Sequence, residues 1–339
     1  MEVVALNENF RNLRQRVWLS RPLFEDITGR LDEWFEVKRT TPAADRYTAG
    51  EIAEHLRDVD GALVTLVENI GAEEIAGASQ LRAVANAAVG YNNLDVAAFD
   101  ARGIIATNTP DVLTETTADH GFALMMAAAR RITEAERWLR EGNWTKWSFD
   151  TLLGNDLHGS TLGILGMGRI GQGIARRATG FGMRTLYHNR SRLPETTESS
   201  VKATYVDFDE LLARADHLVL VLPYSPSSHH IIDAAALARM KPTATLVNIG
   251  RGGLIDEVAL ADALANGRLA GAGLDVFEGE PVVRPELLAL RNVVLTPHVG
   301  SGTLDTRRAM VALAVDNLIA ALGCGPDAGK PPSVVTRQR

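Results

Sequence analysis

Thr161-Leu162-Gly163-Ile164-Leu165-Gly166-Met167-Gly168-Arg169-Ile170-Gly171 is the stretch on which the fold turns. An apolar run ends in Gly166-x-Gly168-x-x-Gly171, and an Ala/Arg-rich helical pattern follows from Gln172 to Phe181. Strand, glycine turn and helix in that order are the context a dinucleotide-binding fingerprint requires. Gly166 permits the tight turn, Gly168 lets a pyrophosphate approach the backbone, and Gly171 lets the helix pack close to the strand. The helix start, with Met167, Arg169 and Ile170 between the glycines, offers free N–H groups and a partial positive charge to phosphates. The competing reading is a tight strand-to-helix turn without a ligand.

Downstream, strands are expected at Arg184–His188, His217–Pro223, Thr245–Gly250, Ala270–Val276 and Val293–Pro297. Asp256 precedes an Ala/Leu helix and suits its N-cap. Upstream, Gly142–Asp156 reads as a loop carrying Trp144 and Trp147, after one long helix from Leu113 to about Glu141. The chain before the Asn108-Thr109-Pro110 break alternates strand and helix. Strands are expected at Arg16–Ser20, Trp34–Lys38, Gly61–Val67, Leu81–Ala88 and Gly103–Asn108, and helices at Pro22–Leu31, Ala49–Arg57, Ala72–Ala78 and Asp95–Arg102. Such alternation implies a parallel sheet with helices on both faces. This first half has no phosphate-binding glycine loop. The second series is complete by residue 299, so the last helix, Gly302–Leu322, is free to return to the first half. The expected domains are therefore 1–112 plus 301–339, enclosing 113–300, with two long helices as the hinge. Residues 1–15 carry no pattern and are expected to form a short disordered extension. The tail from Gly323 is rich in Gly and Pro.

The 339-residue length fits two domains, and 46% hydrophobic with 23% charged residues is ordinary for a globular chain. A net charge of −7 gives no global attraction for nucleic acid or an anionic membrane. The single cysteine, Cys324, excludes an intrachain disulfide and fits a reducing cytoplasm. No apolar signal core and no run long enough to cross a bilayer is evident.

The end of the second strand of such a nucleotide domain decides the cofactor: an acid there binds the ribose hydroxyls of NAD, a basic residue the 2′-phosphate of NADP. Here Asn189-Arg190-Ser191-Arg192 follows His188, and no acid appears before Glu195. Two guanidinium groups and a hydroxyl suit a phosphate dianion, so NADP(H) is the expected preference with NAD(H) as the alternative. Three later strand ends carry polar residues among glycines: Asn248-Ile249-Gly250-Arg251-Gly252-Gly253, Leu274-Asp275-Val276-Phe277-Glu278-Gly279-Glu280-Pro281 and Leu295-Thr296-Pro297-His298-Val299-Gly300. Ligands of open parallel sheets bind at the carboxyl ends of strands, so Arg251, Glu280 and His298 are expected to converge. Each alone also fits a sheet-end cap, a surface turn or a satisfied core histidine. His229-His230 raises a metal site, but no acid is spaced for it in sequence and a surface loop is the expectation. His120 reads as a packing or hinge residue.

These motifs, with Val89-Gly90-Tyr91-Asn92-Asn93-Leu94-Asp95 and Asn108-Thr109-Pro110-Asp111-Val112-Leu113-Thr114, resemble those of the D-isomer-specific 2-hydroxyacid dehydrogenases. The similarity is greatest to the glyoxylate/hydroxypyruvate reductase branch, which includes 2-ketogluconate reductases. It spans about residues 16–322. The resemblance implies a Rossmann domain inserted into a flavodoxin-like substrate domain, both doubly wound. It implies that Arg251, Glu280 and His298 are the catalytic trio, that Val89, Gly90, Arg251 and His298 hold the substrate, and that Asp275 lies near the nicotinamide. Thr117, Leu222, Pro223, Ser228, Ile249, Gly250 and Gly300 match positions that line the cofactor. Trp147 matches a residue that reaches the neighbouring subunit's site, implying a homodimer.

On this reading NADPH reduces small 2-keto acids such as glyoxylate or hydroxypyruvate to D-2-hydroxy acids, with no metal. His298 gives the proton, Glu280 favours its charged form, Arg251 holds carboxylate and polarises the keto oxygen, and a cleft between hinged domains excludes water. The loop Val64–Ile70 lines the pocket in relatives and is closer in length to the 2-ketogluconate type, which leaves a longer sugar acid open as substrate. The non-enzymatic alternative is a corepressor-like protein in which the nucleotide controls assembly.

Overall fold

A computed structural model describes residues 14–40 and 46–337. Thus most of the expected N-terminal extension lies outside the described residues. The chain divides into two compact units, Met1–Leu113 with Thr303–Arg339, and Thr114–Gly302. The unit borders lie one residue after 112 and two after 300, the expected boundaries.

The first unit contains β1 (Arg16–Leu19), β2 (Glu36–Arg39), β3 (Gly61–Val64), β4 (Ala83–Asn86) and β5 (Ile105–Thr107). They pair in the order β2-β1-β3-β4-β5, all parallel. This is the flavodoxin-like order, in which the chain starts inside the sheet and winds both ways. Alternate residues feed opposite faces. Val17, Leu19 and Leu63 pack with Val311, Val315 and Leu318 of the helix Leu304–Ala321. Trp18, Ala62 and Val64 pack on the other face with Ile52, Leu56, Ile75 and Phe99. Gly61 lies under the returning helix, where a Cβ would meet Leu318 Cδ1 at 2.9 Å.

The Gly/Pro-rich tail runs along the exposed side of β5. Val335 N donates to Ala106 O at 2.9 Å, and Ala106 N donates to Thr336 Oγ1 at 3.1 Å. Unpaired edge groups of a sheet are thereby satisfied.

The second unit contains β6 (Thr161–Leu165), β7 (Arg184–His188), β8 (Ala203–Tyr205), β9 (His217–Leu220), β10 (Thr245–Asn248), β11 (Gly271–Leu274) and β12 (Val293–Leu295). Their order is β12-β11-β10-β9-β6-β7-β8, all parallel, the doubly wound order of a Rossmann domain. Ile164, Tyr187, Val219 and Val247 face Ala118, Phe122, Met125 and Ile174 on one side. Leu165, Leu186, Leu218 and Leu246 face Leu211, Leu237 and Leu260 on the other. The register aligns Leu165 with His188 and Leu220, Leu220 with Asn248, Asn248 with Leu274, and Leu274 with Leu295. One row of carboxyl ends therefore carries the glycine turn, the Asn189–Arg192 segment and the three polar segments that hold Arg251, Glu280 and His298.

Three expectations need correction. The long helix is two, Thr114–Ala129 and Ile132–Arg140. Ala129 O accepts from Asn155 N at 2.8 Å, and Arg131, with a left-handed φ of +52°, starts the second helix while its guanidinium binds Glu134 at 2.7 and 2.9 Å. The strand of Gly61–Val67 stops at Val64, because Thr65 N and Oγ1 both donate to Glu68 Oε2 and make a turn. The helix of Pro22–Leu31 is a short α-turn, Glu25–Thr28, that tightens into a 3-10 helix at Gly29–Glu33. Asp256 does cap its helix, accepting from Val258 N and Ala259 N.

Candidate active site

The glycine turn has the constraints its sequence suggests. Gly166 holds φ at +104°, and a Cβ there would meet Leu222 N at 2.6 Å. At Gly171 a Cβ would lie 2.4 Å from Gly166 O, so helix and strand touch through backbone. At Gly168 a Cβ would meet nothing within 4 Å, and the residue is exposed at the start of the eleven-residue helix Arg169–Thr179. Open space before a helix N-terminus fits a pyrophosphate. Thr117 adds a buried hydroxyl with no hydrogen-bond partner among the described residues, and its methyl group lies 3.4 Å from where a Gly300 Cβ would sit. A ligand group reaching this spot would satisfy that hydroxyl. The residues present therefore fit a dinucleotide.

The remaining expected cofactor contacts divide. Met167 is fully buried in the core and its N–H donates to Asn189 Oδ1 at 2.7 Å, which fastens the glycine turn to the end of β7. Arg169 and Ile170 open the helix, and Arg190 and Ser191 are exposed beyond β7. Arg192 is otherwise engaged: its Nε and Nη2 donate to Glu198 at 2.9 and 2.7 Å, and Tyr187 OH donates to the same carboxylate at 2.6 Å. Of the two guanidinium groups expected at a 2′-phosphate, only that of Arg190 stands clear of a carboxylate among the described residues. Leu222 and Pro223 follow β9, while the Ser228 hydroxyl accepts from Ser225 N within its own turn. Ile249 is buried against Gly121, where a Cβ would meet its Cδ1 at 2.7 Å.

Arg251, Glu280 and His298 come from the ends of β10, β11 and β12. Asn248 Nδ2 donates to Arg251 O at 2.9 Å and fixes the turn that presents the guanidinium. A Cβ on Gly252 would lie 1.8 Å from Phe277 C, so this turn rests on the backbone of the Glu280 segment. Burial pulls the Arg251 pKa down, and the Glu280 charge opposes this in part. Glu280 Oε2 lies 2.8 Å from His298 Nδ1, and Glu280 Oε1 accepts from Phe277 N at 2.9 Å. Burial pushes the Glu280 carboxyl up, but His298, the Phe277 amide and Arg251 outweigh it and hold it below its usual range.

Asp275 shapes the histidine loop. Its carbonyl accepts from His298 N at 2.8 Å, and its carboxylate oxygens accept from Val299 N and Gly300 N, both at 2.8 Å. His298 thereby holds a left-handed φ of +53°, a conformation that non-glycine residues keep mainly where surroundings over-determine it. His120, expected to be a packing or hinge residue, places Nε2 at 3.1 Å from Thr296 Oγ1 and 3.2 Å from Asp275 Oδ1. Thr296 Oγ1 donates to Asp275 Oδ1 at 2.7 Å. Burial raises the Asp275 carboxyl, yet His120, Thr296 and the Val299 amide bring it below its ordinary value. Neither His120 nor Thr296 was singled out for a role here. The one signal is a histidine beside Gly121, where the helix passes from its polar first turns into an apolar run.

Val89 and Gly90 lie in the first unit, half-buried in the segment after β4. Trp147 is 73% exposed, in the loop between Arg140 and β6.

The sequence model of the D-isomer specific 2-hydroxyacid dehydrogenase NAD-binding domain matches residues 122–300. This chain belongs to the D-isomer specific 2-hydroxyacid dehydrogenases. Its second unit is the nicotinamide-dinucleotide-binding domain of that family, and the chain is an NAD(P)-dependent oxidoreductase acting on the hydroxy/keto acid couple. It is 44% identical over 330 residues to a glyoxylate reductase of Thermococcus gammatolerans, covering 96% of this chain and 97% of the relative. It is 45% identical over 315 residues to the glyoxylate/hydroxypyruvate reductase B of Erwinia tasmaniensis, covering 91% and 96%. Among solved structures, an NADPH-dependent glyoxylate/hydroxypyruvate reductase of Sinorhizobium meliloti, in complex with NADP and malonate, superimposes with a TM-score of 0.85. That pair is 37% identical, with 96% of this chain and 99% of the other covered. Among the described residues, no helix of this dehydrogenase is long and apolar enough to cross a membrane.

Proposed function

We propose that this dehydrogenase reduces glyoxylate and hydroxypyruvate to D-2-hydroxy acids with NADPH, with His298 as the proton donor. The observation that carries the reading is the 2.8 Å pair of His298 Nδ1 and Glu280 Oε2, with Arg251 close enough to lower the same carboxyl. A carboxylate on Nδ1 fixes the tautomer and orientation of the ring, leaving Nε2 to face the substrate oxygen. As imidazolium, His298 gives its Nε2 proton to that oxygen while negative charge builds on it. Arg251 is oriented by its own turn, with Nη1 donating to Gly250 O at 2.7 Å, and presents its other donors to the substrate's carboxylate and keto oxygen. NADPH, when bound, supplies the hydride. Gly168, Arg169 and Ile170 would hold its pyrophosphate, Thr117 and Gly300 would border its nicotinamide, and Arg190 with Ser191 would bind its 2′-phosphate.

The names of the Thermococcus, Erwinia and Sinorhizobium relatives support the substrate assignment, and the last supports NADPH. Initial rates with glyoxylate, hydroxypyruvate and 2-ketogluconate, each with NADPH and NADH, test it. The expected result is a higher kcat/KM for the two small acids and for NADPH. Faster turnover of 2-ketogluconate would move the enzyme to the longer sugar acids, and equal use of NADH would remove the phosphate site.

A homodimer is the second part of the proposal. Ile132, Leu139, Trp144, Trp147, Phe149 and Leu153 are 51–87% exposed within one stretch of the second unit. Exposed large apolar side chains at this density mark an association surface.

A further inference from the structure

His229 and His230 lie outside the machinery described above, and the fold supplies the acid that their sequence neighbourhood lacks. They follow the 3-10 turn Pro226–Ser228. His230 takes a left-handed φ of +49°, and its N–H donates to Gly253 O at 2.9 Å. The ring is thereby stacked on that of His229, with centroids 3.8 Å apart and planes at 25°. Glu278, 48 residues away in sequence, brings Oε1 to 2.9 Å from His230 Nε2. One ligand-capable atom from each of the three residues lies within 4.8 Å of the others. Tyr224 OH sits 3.1 Å from His229 Nδ1, which leaves Nε2 of that ring for a cation. Metal-binding histidines commonly have their second nitrogen held in this way.

The backbone of Glu278 is anchored by a second carboxylate. Glu278 N donates to Glu257 Oε1 at 2.7 Å. Glu257 Oε2 also lies 3.5 Å from Arg284 Nε, so the segment that carries Glu278 is held from two sides. Two imidazoles and a carboxylate are a borderline-soft set, suited to Zn²⁺ or a neighbouring transition ion rather than Ca²⁺ or Mg²⁺. The partial exposure of the site leaves room for water as the remaining ligand. We propose that His229, His230 and Glu278 bind a divalent transition cation of the Zn²⁺ class. The ion ties the segment after β9 to the segment after β11, two residues before Glu280, and takes no part in hydride or proton transfer.

Titration of the untagged, full-length enzyme with ZnCl2 against a chromophoric chelator tests the site. The expected result is one ion per chain, bound at micromolar concentration, and a melting temperature raised by about 5 °C at saturating zinc. His229→Ala and Glu278→Gln are each expected to weaken binding by at least about tenfold, and Tyr224→Phe, which touches no ion, by about tenfold. His158→Ala, at an exposed histidine elsewhere, leaves binding unchanged. Reductase activity in the presence of EDTA, retained in His229→Ala, shows that the variant is folded. Zinc binding that does not saturate at one per chain, or that is the same in His229→Ala and Glu278→Gln as in the native enzyme, overturns the proposal.

Discussion

His298 sits in a backbone conformation that costs free energy, and Asp275 holds it there through two amides of the next residues. The imidazole is thus placed by the loop and oriented by Glu280 before any ligand arrives. His298→Ala is expected to lower kcat by about 10²- to 10⁴-fold while NADPH still quenches protein fluorescence with its native affinity. Full retained activity would reject His298 as the proton donor. Glu280 is held below its ordinary 4.5. A lowered carboxyl contributes stability that is present above 4.5 and is lost only as pH falls through the lowered value. Glu280 is therefore ionised across the neutral range and holds the ring at Nδ1 throughout it. Glu280→Gln removes that charge while keeping the side-chain length, and is expected to lower kcat by about tenfold or more with NADPH still bound at its native affinity. An unchanged kcat would break the pairing of roles. Arg190 is the one guanidinium beyond β7 that no carboxylate occupies among the described residues. Arg190→Ala is expected to raise KM for NADPH at least about tenfold with little change for NADH, as loss of a charge-assisted contact predicts. Equal changes would dismiss the phosphate assignment.

At the scale of elements, the connection after β7 is set by a clamp rather than by Arg190 and Ser191, the residues proposed to bind phosphate. Arg192 and Tyr187 lower the Glu198 carboxyl to about 2, against its burial. Burial, and then Glu198, push the Tyr187 hydroxyl up to about 12. The Glu198 contribution to stability is full above 4.5 and is lost as pH falls towards 2. The Tyr187 contribution is full below 10 and is lost as pH rises through about 12. Glu198→Gln is expected to lower the melting temperature at neutral pH by a few degrees and to flatten the acid-side loss of urea stability. An unchanged acid slope would show that the clamp does not form in solution. The strand before this connection, β7, was legible as an apolar run between polar turns, whereas β8, three residues at the edge of the sheet, was not expected from the sequence. Arg251, Glu280 and His298 were legible as a group because strand ends of one parallel sheet share an edge. The clamp was not, because its arginine, taken in sequence as a phosphate ligand, is claimed by an acid six residues on, in a helix whose alanine-poor ETTESSV gives little helical signal. The break after Ala129 was hidden for a related reason: Asn155, on a returning loop, takes a carbonyl the helix would otherwise use. The acid beside His230 was likewise supplied by register, from the end of another strand.

For the whole molecule, the two sheet orders account for why a single chain needs two hydrophobic systems in each unit, but they leave one stretch unexplained. From Ile132 to Leu153 six large apolar side chains face solvent, among them Phe149 at 87% exposure, while the helix bearing Ile132 and Leu139 presents charged residues elsewhere. A chain with net charge −7 does not associate through general attraction, so any stable pairing must come from an apolar seam of this kind. Trp147 and Phe149 sit edge to face with centroids 6.0 Å apart, a rigid aromatic pair of the sort that anchors interfaces. The native enzyme is therefore expected to sediment at twice 36.6 kDa at micromolar concentration. Phe149→Glu with Leu139→Glu places two carboxylates in the seam. Each costs about 2 kcal/mol of association, about thirtyfold in Kd, if the residue is an anchor. The double variant should then sediment as a monomer with native far-ultraviolet circular dichroism. A native enzyme that already sediments as a monomer, or a double variant that stays dimeric, would place the contact on another surface or remove it.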